Sequence, residues 1–67
     1  MSFKIVEHRD GSFHGQNIDT NETTPVVKWY SALKHEIRMR FGVELPETDR
    51  LDFDDCGRGE RCALFNV

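Results

Sequence analysis

Long apolar runs are absent from the sequence. No stretch approaches the roughly 20 consecutive apolar residues that a membrane-spanning helix needs. The amino-terminal segment MSFKIVEHRD has neither the apolar core nor the basic flank of a signal peptide. These two absences predict a soluble protein in the cytoplasm.

Cysteine is scarce as well, with two residues in a chain of 67. That density excludes a secreted domain built on a framework of several disulfides. Cys56 and Cys62 lie together in the segment DDCGRGERC. With residues 57–61 as a hairpin loop, the two cysteines would face each other at a distance that permits a disulfide. A reducing cytoplasm disfavours that bond, so we expect two free thiols.

Metal and phosphate motifs are missing from the same segment. A phosphatase-type loop needs an arginine where Cys62 stands, and Arg61 comes one residue too early. Gly57 and Gly59 lack the lysine that follows a phosphate-binding loop, so they predict a turn. The candidate zinc ligands are His8, His14, His35, Cys56 and Cys62. They include no CxxC or HxxxH pair, from which structural zinc sites are usually built, so we predict no metal and no cofactor.

Lysine is absent after Lys34, and this weakens a catalytic interpretation of the acidic residues. In the segment RLDFD, apolar and acidic residues alternate, which predicts a half-buried strand with Asp52 and Asp54 on its outer face. Paired carboxylates can hold a divalent cation or act as acid and base. Metal-dependent nuclease chemistry would also need a nearby lysine. We therefore predict that the protein is not an enzyme, and a small metal-dependent enzyme is the weakest hypothesis.

Large apolar side chains are numerous enough for one core, and the chain is 37% hydrophobic and 31% charged, as folded domains are. The core candidates are Phe3, Ile5, Phe13, Ile18, Val26, Tyr30, Leu33, Ile37, Phe41, Leu51, Phe53, Leu64 and Phe65. Strands are predicted over about 2–8, 12–18, 50–54 and 61–66, and a helix over about 25–41. We expect one α+β domain over residues 1–67, with a four-stranded antiparallel sheet in ββαββ chain order and one amphipathic helix packed on a face.

The helix has the clearest pattern. Its apolar stripe consists of Val26, Tyr30, Leu33, Ile37 and Phe41. Thr24 is predicted to be the N-cap, Pro25 the first helical residue and Gly42 the C-cap. Trp29 is expected to cover the edge of the core.

The first hairpin has a predictable register. A two-residue turn would place Phe13 on the sheet face opposite Ile5, whereas a three-residue loop at 9–11 places both on the same face. The three-residue loop needs Gly11 in the left-handed region and forms a G1 bulge. Because burial decides register, we predict the bulged loop. Gly15 would then allow a bulky side chain to approach the sheet closely.

Positive and negative charge are segregated along the chain. The net charge is −3, but residues 25–41 carry +3 and residues 44–55 carry −5. A net negative charge argues against general nucleic-acid binding. An acidic surface instead favours a partner with a basic surface.

These features favour a non-enzymatic protein-binding module that inhibits or modulates a host or defence protein, as small accessory proteins of bacteriophages and mobile elements do. Its predicted acidic edge consists of Asp49, Asp52, Asp54 and Asp55. Its predicted exposed helix flank, which would also suit a homodimer seam, consists of Ala32, His35 and Met39. The alternative is nucleic-acid binding through phosphate contacts of a basic helix face, whose members are Lys28, Lys34, Arg38 and Arg40.

Overall fold

Four strands and one α-helix follow one another in ββαββ order in a computed structural model that describes all 67 residues. The elements are β1 (Ser2–Glu7), β2 (Phe13–Asn17), α1 (Tyr30–Phe41), β3 (Asp54–Gly57) and β4 (Glu60–Asn66). The strands form one antiparallel sheet in the order β2-β1-β4-β3. The predicted α+β fold is therefore confirmed. No helix combines the length and apolar character that crossing a membrane requires.

The first hairpin closes through the predicted three-residue loop at 9–11. Gly11 has a φ of 88°, in the left-handed region that glycine adopts without strain. Its N–H donates to the His8 carbonyl at 2.9 Å, and the His8 N–H donates to the Ser12 carbonyl at 2.7 Å. This is the bulged connection that the sequence favoured.

The bulged register gives the sheet one apolar face, which α1 covers. Phe3, Ile5 and Phe13 share that face and are all buried there. Gly15 lies directly under the helix, because a Cβ added to it would stand 2.9 Å from Ile37 Cδ1. The predicted close approach at Gly15 is thus confirmed, and it brings the helix onto the sheet.

The chain after α1 completes the core. The core cluster consists of Phe3, Ile5, Phe13, Leu33, Ile37, Val43, Leu45, Leu51 and Ala63. Val43 and Leu45 were not among the predicted core residues, because the segment around Pro46 has no periodic pattern. Tyr30 fixes this segment to the helix by donating its hydroxyl to the Pro46 carbonyl. Each fully buried leucine contributes about 2 kcal/mol of hydrophobic stabilisation, so this short segment matters to stability.

The helix begins at Tyr30, and the predicted start at Pro25 is wrong. Val27 instead exchanges two backbone hydrogen bonds with Phe13, at 2.7 and 2.8 Å, along the outer edge of β2. Thr24 is not an N-cap, because its hydroxyl accepts the Gly15 N–H at 2.9 Å. The edge of β2 would otherwise leave the N–H and carbonyl groups of Phe13 without partners. The segment around Val27 stays extended because, in that conformation, it forms hydrogen bonds with both groups.

The extended segment also explains why two apolar residues that were predicted to pack on the core are exposed. Val26 and Trp29 are 61% and 68% exposed, so neither belongs to the core. Alternation along the extended chain turns Val26 outward while its neighbour Val27 packs against the core. Ile18 and Leu64 are also exposed, and Leu64 points to the sheet face that the helix leaves open.

The second hairpin differs from its predicted form. Thr48–Arg50 is a 3-10 turn, so the predicted strand over 50–54 is wrong, and β3 begins only at Asp54. The loop contains two residues, Arg58 and Gly59, whose φ values of 58° and 78° suit a type I′ turn. Leu51 and Phe53 alternate as strand residues would, but they pack against the core before the ladder starts.

Candidate functional site

Three of the predicted acidic residues, Asp52, Asp54 and Asp55, line one groove at a free edge of the sheet, and Asp49 lines a different groove with Glu7 and Tyr30. Asp54 and Asp55 belong to β3, which is the outermost strand on that side. Asp52 lies in the preceding loop and Asp49 in the 3-10 turn. All four side chains are exposed. We call these four residues the acidic edge.

The acidic edge has no positively charged partner within the chain. The four ion pairs of the structure join other residues: His8 with Glu60, Lys34 with Glu47, Arg40 with Glu36, and Arg61 with Glu7. Of the four side-chain carboxylates, only that of Asp55 accepts a hydrogen bond, from the Gly57 N–H at 2.9 Å. Even Arg61, the cross-strand partner of Asp55, pairs elsewhere. These carboxylates therefore present uncompensated charge to solvent.

Strand β3 is poorly suited to direct strand addition. It has four residues, all exposed, and its ladder with β4 is interrupted between Asp55 and Gly57. Short length, a bulge and outward charges are the features by which sheets resist unspecific edge pairing. A partner of this edge would therefore contact the carboxylates more readily than the backbone.

Cys56 and Cys62 are joined by a disulfide, with their Cα atoms 5.9 Å apart. The expectation of free thiols is wrong for this structure, and so is the five-residue loop that placed the cysteines directly opposite. Asp54 pairs with Cys62 and Gly57 with Glu60, so Cys56 lies at the bulge. The bulge leaves the two Cα atoms within the range that a disulfide spans.

An open groove of about 450 Å³ runs beside this disulfide. Its lining residues are Lys4, Asp52, Asp54, Asp55, Cys56, Cys62 and Leu64. Leu64 is 69% exposed and lies next to Lys4 on the open face of the sheet. The groove thus combines an apolar surface with three carboxylates and one amine.

The helix flank is a separate surface. Met39 is 71% exposed and His35 is exposed, but Ala32 is half-buried, contrary to the prediction. The helix packs nearest to β2, whereas the acidic edge lies at β3, on the opposite side of the sheet. The structure therefore does not bring the two predicted partner-binding surfaces together.

The basic helix face is largely neutralised. Lys34 pairs with Glu47 at 2.7 Å, and Arg40 pairs with Glu36 at 3.1 Å. Lys28 is not on the helix at all, because it lies in the extended segment before it. Among the four predicted phosphate contacts, only Lys28 and Arg38 have no ion-pair partner.

A chain of three polar side chains connects the two hairpins on the open face. His8 Nδ1 lies 2.6 Å from Glu60 Oε2, and His8 Nε2 lies 2.7 Å from His14 Nδ1. The two imidazole rings stack with their centroids 4.8 Å apart. Burial, followed by the charge of His8, lowers the pKa of His14. The sequence indicated the His8–His14 contact, but not Glu60.

This polar chain joins structural elements, and an open groove of about 560 Å³ beside it is lined by His8, Arg9, Asp10, Ser12, Val26 and Glu60. The nearby Ser12 hydroxyl donates to the Asp10 carboxylate at 2.6 Å. No group of three or more histidine, cysteine, aspartate or glutamate side chains has the arrangement of a metal site. The five candidate zinc ligands do not converge, since the cysteines are bonded to each other and His35 is exposed on the helix.

No protein-family model matches the chain, and neither a curated protein nor a solved structure matches it.

Proposed function

We propose that this protein is a small, non-enzymatic binding module whose acidic edge docks on a basic surface of another protein. The observation that carries the proposal is the absence of any ion-pair partner for Asp49, Asp52, Asp54 and Asp55. Clustered like charges repel one another and weaken the compact state. A basic partner surface would relieve that repulsion and accelerate association.

The proposed role is inhibition or modulation of a host or defence protein in the cytoplasm, of the kind that bacteriophage accessory proteins perform. Proteins that bind nucleic acid present lysine and arginine side chains to phosphate groups. Carboxylates accept hydrogen bonds from the same side chains, and the arginine guanidinium donates two parallel hydrogen bonds to one carboxylate. Docking of the acidic edge would therefore block such a surface by occupying it.

A capture experiment with charge-matched variants tests this proposal. The wild-type chain, Asp52→Lys/Asp54→Lys and Glu22→Lys/Glu44→Lys are immobilised and exposed to a host lysate. Both variants change the net charge equally, and all four positions are exposed and free of ion pairs. We expect a partner that binds the wild type, dissociates in high salt and is lost only with the Asp52/Asp54 variant. Equal retention by both variants would contradict the proposal.

Nucleic-acid binding is the alternative, and the unpaired Lys28 and Arg38 are the observation in its favour. Two such cations predict weak binding with a shallow salt dependence. Titration of labelled DNA and RNA at low ionic strength tests it. A complex that Lys28→Ala/Arg38→Ala abolishes would favour this alternative over the acidic edge.

The helix flank is a second proposed contact surface, because Met39 is largely exposed there. Isolated exposed apolar residues are common in monomers, so the test is the oligomeric state itself. Analytical ultracentrifugation measures the oligomeric state of the wild type and of Met39→Asp. A dimer that Met39→Asp dissociates would assign the flank to self-association, and a wild-type monomer would leave it open to another protein.

A further inference from the structure

Strand β3 contributes nothing to the hydrophobic core. Its residues Asp54, Asp55, Cys56 and Gly57 are all exposed. It is held by an irregular ladder to β4, by the turn at Arg58–Gly59, and by the disulfide. Of these, only the disulfide is a bond that solution chemistry can open and close.

The chain on both sides of β3 is fixed independently of the disulfide. Before the strand, Leu51 is buried and Phe53 packs against the core. The Arg61 guanidinium also lies over the Phe53 ring, 5.3 Å from its centroid. After the strand, β4 is an inner strand that pairs with β1 along its length. Loss of the disulfide would therefore loosen residues 54–57 and leave the rest of the domain folded.

The disulfide is accessible to small molecules. Cys56 is exposed and Cys62 is half-buried, and both line the open groove of about 450 Å³. A thiolate entering from the groove reaches the Cys56 sulfur more easily than the Cys62 sulfur. Accessible disulfides are the ones that exchange readily with thiols.

We propose that Cys56 and Cys62 form a thiol–disulfide exchange site that controls the order of strand β3. In the oxidised form, the disulfide fixes Asp54 and Asp55 in the sheet. In the reduced form, both residues become mobile and the acidic edge loses its fixed geometry. The consequence for partner binding rests on the proposed function, whereas the change in order of β3 does not. A protein in a reducing compartment would carry an ordered edge only under oxidising conditions.

With a dithiol as reductant the exchange proceeds in two steps, and with a monothiol such as glutathione a second molecule makes the second attack. One reagent thiolate attacks the Cys56 sulfur, the disulfide breaks, and Cys62 leaves as a thiolate that takes up a proton. The second reagent thiolate then attacks the reagent sulfur of the mixed disulfide, and Cys56 leaves as a thiolate and is protonated. The protein gains two electrons and two protons, and the dithiol becomes a cyclic disulfide.

The charges of the groove give the exchange a selectivity. Asp52, Asp54 and Asp55 line it, and Lys4 is its only cation. The attacking species is a thiolate, so the carboxylates repel every reagent, and they repel the thiolate of glutathione more strongly than that of dithiothreitol because glutathione carries one more net negative charge. At low ionic strength we expect Asp52→Asn/Asp54→Asn to accelerate exchange with glutathione by about three- to tenfold and exchange with dithiothreitol by a smaller factor.

Hydrogen exchange of the full chain tests the proposal without any partner. On reduction by excess dithiothreitol, amides of β3 and of the β4 residues paired with it should exchange faster by on the order of tenfold or more, while β1 and β2 amides keep their protection. Cys56→Ser/Cys62→Ser should show the reduced pattern and no response to dithiothreitol. The proposal is overturned if the disulfide resists dithiothreitol in the native protein, if β3 keeps its protection, or if β1 and β2 lose theirs.

Partner binding provides a separate arm. A partner captured through the acidic edge should bind the oxidised protein more tightly than Cys56→Ser/Cys62→Ser. Equal binding by both would overturn the regulatory part and leave the proposed function intact. If no partner is captured, the proposed function fails while the hydrogen-exchange result still decides the exchange site.

Discussion

The two hairpins of this sheet maintain their registers by different means. In the first, Phe13 must join Phe3 and Ile5 on the buried face, and this requirement selects the bulged loop. In the second, no side chain of β3 is buried, and the turn and the disulfide take over that role. Because β3 has no packing role, it is free to expose the unpaired carboxylates of Asp54 and Asp55, although β4 of the same hairpin buries Ala63. The buried face of the first hairpin and the proposed recognition surface therefore lie on opposite sides of one small sheet.

Deleting a core side chain of the first hairpin should produce the largest effect. Phe3 is fully buried, and replacing it with alanine should lower the free energy of unfolding by about 3 to 5 kcal/mol. A domain of this size has little more stability than that, so Phe3→Ala should be largely unfolded. The matched variant Leu64→Ala removes an apolar side chain that is 69% exposed and should cost less than about 0.5 kcal/mol. Urea denaturation followed by circular dichroism measures both, and similar losses would contradict the division between the hairpins.

Filling the space at Gly15 should be the next largest effect. The Cβ of Gly15→Ala would stand 2.9 Å from Ile37 Cδ1, and such overpacking costs about 1 to 3 kcal/mol. Ile37→Val removes the clashing atom and alone should cost about 1 kcal/mol. The double variant should therefore lose less stability than the sum of the two. Strictly additive losses in a double-mutant cycle would show that the helix shifts away instead.

Opening the disulfide should have an intermediate and local effect. For a ring as small as the one that Cys56 and Cys62 close, loss of chain constraint lowers stability by about 2 kcal/mol. Cys56→Ser/Cys62→Ser should therefore remain folded under conditions in which Phe3→Ala is not. Thermal denaturation of the two variants side by side checks this order, and a Cys56→Ser/Cys62→Ser variant that is as unfolded as Phe3→Ala would reverse the comparison.

The difference between the hairpins also explains what the sequence predicted. Burial is visible in a pattern, so the loop at Gly11 and the approach at Gly15 were predicted correctly. Pairing with a distant segment leaves no pattern in the local sequence. The predicted helix therefore begins at Pro25, although Val27 pairs with Phe13 in the structure.

The acidic edge was predicted in composition but not in geometry. Its four aspartates stand out in the sequence as a run of negative charge. The alternation of Leu51 and Phe53 with acidic residues predicts a strand there, but β3 begins only at Asp54. An exposed strand leaves no burial pattern by which its register can be read. The contact of His8 with Glu60 spans 52 positions and depends on β1 lying beside β4, which no local pattern reveals.

The polar chain between the hairpins should make stability depend on pH. Burial and the charge of His8 lower the pKa of His14 in the folded state, and Lys4 acts in the same direction while Glu60 opposes it. The unfolded chain then binds more protons, so stability is highest above the unfolded value of about 6.5 and falls as the pH drops below it. His14→Gln should flatten this dependence between about pH 7 and pH 5 when the free energy of unfolding is measured at each pH. An unchanged slope in His14→Gln would assign the dependence to other groups.

The smallest effect should come from the turn of the second hairpin, and it should be stabilising. Arg58 has a φ of 58°, and this left-handed conformation is energetically unfavourable for any residue that has a Cβ. The Arg58 side chain makes neither a hydrogen bond nor an ion pair. Arg58→Asn creates the Asn-Gly pair that type I′ turns prefer and should raise the free energy of unfolding by about 0.5 to 1 kcal/mol. Arg58→Ala removes the same charge but retains the backbone penalty, so it should leave stability unchanged. If alanine stabilised the domain as much as asparagine, the gain would come from charge, and the turn would not be helping to set the register of β3.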